Sequence, residues 1–178
     1  MRIVSFLIVG IILIGFQLSI FQKMPSWLGS PDLVFILVAF LAYRFDMLRG
    51  LFLSFAFGWM MDVTSGIYLG TYLVEYLSFF VALNLLTANS PVKESAYQVP
   101  LVGVGYFLAQ MVLYLILSVM IADEMQPWSW SRVLKETIIL TVATIPCFLL
   151  FNNLNEYLLK RRNVVRRSLK RKTGNQYR

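Results

Sequence analysis

Two carboxylates interrupt apolar stretches of this chain: Asp62 closes "GLFLSFAFGWMMD", and Glu75 lies inside "TYLVEYLSFF". A carboxylate in such a setting is a functional candidate, because charge is expensive there and survives where it ligates an ion, carries a proton or meets a partner. Glu75 has no evident basic partner. It is read either as a proton or transport group, or as a polar contact between helices, made to a Tyr or to Gln110. For Asp62, ligation of an ion or substrate competes with a structural role. At the end of its own helix it meets the negative pole, but a few residues later a new helix offers a positive N-terminus with orphan N–H groups. With Thr64 and Ser65 it is expected to tie that turn together. Asn152, Asn153, Asn155 and Glu156 form a further polar set, a candidate surface for a cytoplasmic partner.

Other chemistry is removed by composition. Histidine is absent, so Ser-His-Asp and Cys-His nucleophiles and HExxH zinc sites are excluded. The one cysteine, Cys147, cannot form an intrachain disulfide and reads as a small buried thiol. No phosphate-binding loop or metal-ligand spacing occurs. The sequence is therefore read as non-enzymatic, with no cofactor.

A different kind of signal lies upstream of Asp62. Gly50, Ser54 and Gly58 recur every fourth residue, followed at the same spacing by Asp62, Gly66 and Gly70. In lipid, small residues at this spacing let helix backbones approach closely. Gly50, Ser54, Gly58, Gly66 and Gly70 are read as one interface, serving either the bundle itself or a partner's helix.

The elements that must position these residues are apolar blocks. Hydrophobic residues make up 58% and charged residues 14% of 178 positions, with a mean hydropathy of +0.69. The blocks are continuous rather than alternating, which predicts membrane helices and not a barrel. The expected fold is an all-α, polytopic bundle of six helices with both termini cytoplasmic. It occupies residues 1–159, with a basic cytoplasmic tail at 160–178. The first helix, Ile3–Phe21, is a retained span and not a signal peptide, since its apolar core is too long and no small-x-small cleavage site follows. Ser30, Pro31 and Asp32 mark the second start: a capping hydroxyl, a proline in the first turn and an acid at the positive dipole end. Two short runs follow, Leu33–Tyr43 and the glycine-bearing segment, separated by "RFDMLRG". Two short spans are preferred to a re-entrant hairpin, which would leave Arg44, Asp46 and Arg49 near mid-bilayer. Helices over 67–89, 99–122 and 136–159 complete the six.

With the N-terminus inside, thirteen Lys or Arg fall on the inner side and three on the outer, as the positive-inside rule requires. Trp27, Trp59, Trp128 and Trp130 then gather near the outer interface. The net charge of +7 concentrates at the C-terminus, where nine basic residues and no acid follow Leu159. Lys160, Arg161, Arg162, Arg166 and Arg167 are expected to meet anionic lipid or a cytoplasmic partner, and nucleic acid is not expected.

The order Pro31-Asp32-Leu33, then Arg44 and Arg49, then Gly50, Gly58 and Asp62, then Leu69-Gly70 resembles the core of the MreD family of rod shape-determining proteins. The match covers roughly residues 30 to 77; beyond it, size, hydropathy and the basic tail agree. The resemblance implies a bacterial inner-membrane scaffold of the cell-elongation machinery. Its implied partners are an MreC-like single-span protein and, indirectly, MreB filaments, a RodA-type glycosyltransferase and a penicillin-binding transpeptidase. MreD proteins also resemble the six-helix substrate-binding subunits of energy-coupling factor vitamin transporters, which supplies the alternative: a membrane subunit that binds a small molecule. The Ala-x-x-x-Ala docking pattern common in those subunits is missing from Ile3–Phe21, which contains no alanine.

Overall fold

The structure is a computed structural model and describes residues 2–21, 31–66, 69–89, 95–120 and 129–174, with the side chains at 20–21, 88–89, 95–96, 117, 119–120 and 161–174 left out of the description. Six helices follow in order: α1 Arg2–Phe21, α2 Leu33–Arg44, α3 Met47–Ser65, α4 Thr71–Asn89, α5 Ser95–Met120 and α6 Trp130–Gly174. There is no strand among the described residues. Three of these helices, α1, α5 and α6, are long and apolar enough to cross a membrane.

Burial separates the helices into one centre and a surround. In α2 every residue from Val34 to Ala42 is buried, as expected of a helix that is apolar on all sides. The others bury a single stripe. In α1 it is Phe6, Gly10, Ile14 and Gln17, and in α6 it includes Val133, Glu136, Leu140, Thr144, Phe151 and Asn155. The opposite faces are exposed and apolar, with Ile12 at 63%, Phe52 at 61% and Leu150 at 66% exposure.

Hydrogen bonds at both ends fix how α2 lies on α1. At one end the Gln17 side chain meets Asp32 at the start of α2. At the other, the Arg2 guanidinium donates to the Arg44 carbonyl (3.0 Å) and lies over the Phe45 ring. The chain reverses at Phe45-Asp46 beside the N-terminus of α1, about 22 Å along that helix from Gln17 at 1.5 Å per residue. The turn is therefore at an end of the bundle and not half-way along it. Arg44, Asp46 and Arg49 are all exposed there; Asp46 and Arg49 pair at 3.1 Å.

Several expected boundaries shift. The third helix has 19 residues, because Met47, Leu48 and Arg49 join it ahead of Gly50. The fourth begins at Thr71 and not at Ile67, which lies outside the described residues. The sixth begins at Trp130 and continues past Lys160 to Gly174, so the basic stretch prolongs a helix.

Candidate functional site

The polar residues concentrate where α1 ends and α2 and α4 begin. Asp32 is the N-cap of α2. Its Oδ1 accepts from the backbone N–H of Val34 (3.0 Å) and Phe35 (3.4 Å) and from Gln17 Nε2 (3.3 Å). Its Oδ2 accepts from the Tyr76 hydroxyl on α4. Gln17 completes the link, since its Oε1 accepts from the Leu33 N–H at 3.1 Å. One buried carboxylate thus satisfies the start of the central helix and fastens it to α1 and α4. The N-cap expected from the sequence is Ser30, and the N-cap observed is Asp32. Asp32 itself occupies the cap, Pro31 precedes it instead of entering the first turn, and Ser30 lies outside the described residues. A carboxylate has lone pairs for several donors at once, and this site uses them.

Asp62 performs the parallel task for α4. It is 3% exposed, and its two oxygens accept from the backbone N–H of Tyr72 (2.8 Å) and Leu73 (3.2 Å). The acid at the tail of α3 therefore caps the next helix across the intervening turn. Thr64 and Ser65 hydroxyls bond back to carbonyls of α3, at Met60 and Asp62 respectively.

The glycines divide into two groups. A Cβ at Gly50 would strike the Phe80 ring, and one at Gly58 would stand 2.6 Å from the Leu73 Cα. Ser54 between them is wholly buried, its Oγ without a hydrogen-bond partner. Gly50, Ser54 and Gly58 therefore pack α3 on α4 of the same chain, and they are covered. Gly66 and Gly70 do not belong to this face. They have φ of 63° and 99° with open space around them. Gly66 is the left-handed C-cap of α3 and Gly70 lies in the following turn, conformations that glycine adopts without steric penalty. The reading of all five as one packing stripe is corrected to a packing pair with Ser54 and two turn glycines.

Glu75 lies one turn into α4, close to both clamps. It is 6% exposed, and its Oε1 has no hydrogen-bond partner. Gln110 is half-buried, and no hydrogen bond joins the two, so the Glu75–Gln110 contact is not made. Tyr72 beside it is within electrostatic reach of Asp32, Asp62, Glu75 and Glu136. Glu136 pairs with Arg132 at 3.1 Å. Among the described residues no group of three or more Asp, Glu or Cys lies close enough to hold a metal ion.

At the opposite end Asn155 is buried with its Oδ1 unpartnered, whereas Asn153 and Glu156 are exposed. Cys147 is half-buried and free. Lys160 is exposed, and the side chains of Arg161, Arg162, Arg166 and Arg167 lie outside those described. Trp59, in the second half of α3, and Trp130, at the start of α6, are exposed; Trp27 and Trp128 lie outside the described residues.

Sequence reasoning missed Gln17 and Tyr76. Each carried a signal: Gln17 is an amide in an otherwise apolar helix, and Tyr76 adjoins the acid already singled out.

Comparison with models of known protein families, with curated proteins and with solved structures returns no match.

Proposed function

We propose that this chain is a multi-pass protein of the bacterial inner membrane that acts as a scaffold of the cell-elongation machinery, as MreD proteins do. All six helices cross the bilayer in this reading, with both termini in the cytoplasm. It recognises an MreC-like single-span protein by helix-to-helix contact and through it helps couple MreB filaments to lateral peptidoglycan synthesis.

The observation that carries the reading is what the motif residues do. Asp32, Gly50, Gly58, Asp62 and Gly70, five of the residues in the MreD-like order, sit at the joints of α2, α3 and α4, whereas Arg44, Arg49 and Leu69 of that order are exposed. A sequence pattern that coincides with the joints of a bundle is a pattern of fold and not of composition alone. The apolar exterior adds support, because the exposed face of each outer helix is what lipid or a partner's span would cover.

One observation favours the alternative of a small-molecule-binding membrane subunit: Glu75 Oε1 is buried and unpaired near the tyrosines of α4. Affinity purification of the full chain from native membranes separates the two. Wall-synthesis proteins and an MreC-like partner are expected with it. Recovery of an ATPase-coupling module without them would replace the scaffold by the transporter subunit.

A further inference from the structure

We propose that the C-terminal extension of α6 is a basic rod that docks an acidic protein surface, clear of the lipid head groups. The proposal rests on the membrane-embedded reading of α6 and is independent of the link to cell elongation.

Three observations carry it. The first is length. The apolar part of α6 runs from Trp130 to Lys160, 31 residues, or about 46 Å at 1.5 Å per residue. That matches the full thickness of a bilayer with its head groups, about 40–45 Å. Helix continues to Gly174, uninterrupted at Pro146, which carries the chain about 20 Å further. Arg166, Arg167, Lys170, Arg171 and Lys172 then lie mostly beyond a Debye length of about 8–10 Å from the membrane surface, where attraction to lipid is screened.

The second is the distribution of charge around the helix. At 3.6 residues per turn, the eight basic residues between Lys160 and Lys172 fall on every side. Val164, Val165 and Leu169 make no wide stripe. A helix that lies in the membrane plane needs one broad apolar face, and this segment has none.

The third is self-repulsion. Arg162 and Arg166, Arg166 and Lys170, and Arg167 and Arg171 are like-charged pairs one turn apart, with no acid to relieve them. Such pairs destabilise an isolated helix. An acidic counter-surface removes that penalty, and the helix offers it charge on whichever side is approached.

The test uses the full chain in nanodiscs of phosphatidylcholine, with or without phosphatidylglycerol. A spin label is placed at Ser168→Cys or Thr173→Cys in a Cys147→Ala background, and poly-L-glutamate is the acidic probe. The label is expected to remain water-exposed in both lipids. Poly-L-glutamate is expected to bind saturably and order the label, weakening about tenfold or more between low and moderate salt. The variant combining Arg166→Gln, Arg167→Gln, Lys170→Gln and Arg171→Gln should lose at least about tenfold in affinity. Descent of the label toward the acyl chains when phosphatidylglycerol is added would assign the segment to lipid and overturn the proposal. So would unchanged probe binding by the variant, or tighter binding of duplex DNA than of poly-L-glutamate. Flotation with lipid scores the membrane reading separately, and if it fails the proposal falls with it.

Discussion

At the scale of residues, the bundle is held by two carboxylates that each serve the start of a helix other than the one preceding them. Asp32 takes four donors, from α2, α1 and α4. Replacement by alanine removes an N-cap and leaves the buried Tyr76 hydroxyl and Gln17 amide unpaired. Asp32→Ala is therefore expected to lower unfolding stability by about 2–4 kcal/mol, more than a cap alone. Tyr76→Phe should cost about 1 kcal/mol or more, and the two changes should be non-additive in a double-mutant cycle read by denaturant titration in detergent. Ser54 runs the other way. Its wholly buried hydroxyl has no partner, so Ser54→Ala is expected to be neutral or to stabilise by up to about 1 kcal/mol. A loss of stability there would show that the hydroxyl is satisfied after all. Asp62 and its turn were legible in the sequence because a carboxylate ahead of a new helix has one obvious set of donors. Tyr76 was not, because nothing in a linear pattern tells which face of α4 meets the start of α2.

At the scale of elements, the decisive fact is that α2 is the axis and α3 and α4 are a closely packed pair. Length alone ranks α2 as the weakest helix, with 12 residues. Its position in the centre comes from being apolar all round, a property visible in "LVFILVAFLAY" but ambiguous, since a short span has the same composition. The small residues of α3 were visible as a set, yet their fates differ because backbone conformation is not encoded in spacing. Gly50 and Gly58 are close approaches, while Gly66 and Gly70 are turns. The two groups should respond differently to substitution. Gly58→Ala places a methyl against the Leu73 backbone, which cannot rotate away, and is expected to cost about 1–3 kcal/mol. Gly58→Leu should prevent α3 and α4 from pairing, so loss of any partner in that variant reports misfolding. Gly66→Ala meets open space but must hold a positive φ, for about 1 kcal/mol. Gly15→Leu, on the open face of α1, should leave stability unchanged, which makes it the cleaner variant for probing a partner helix by co-purification.

At the scale of the whole molecule, the structure has two ends that the proposed topology assigns to opposite sides of a bilayer. One end holds Arg2 and the turn at Phe45-Asp46, and α6 runs toward it, with Phe148 against Tyr43 and Lys160 further along. The other holds the Asp32 and Asp62 clamps, Gly66 and the start of α6 at Trp130. Lys and Arg favour the first end and the exposed Trp59 and Trp130 lie toward the second, as expected for a cytoplasmic face and an outer interface. The clearest consequence is a labelling pattern. In a Cys147→Ala background, single cysteines replacing Gly66 or Ser129 should react with a membrane-impermeant maleimide in intact spheroplasts. Cysteines replacing Asp46 or Lys160 should react only after permeabilisation. The Asp46 position is the most telling, because α2 and α3 are not among the three helices that qualify as spans by length and composition. If the cysteine at 46 labelled from outside together with that at 66, α3 would not cross, and the six-helix topology would give way to one in which α2 and α3 are held inside the bundle by α1 and α4. If it labels only after permeabilisation, a helix of ordinary length and a central one of three turns each cross the bilayer. The 12 residues of α2 rise only about 18 Å, so its crossing would depend on neighbours shielding both of its ends, a task for which Arg2 and Gln17 are already placed.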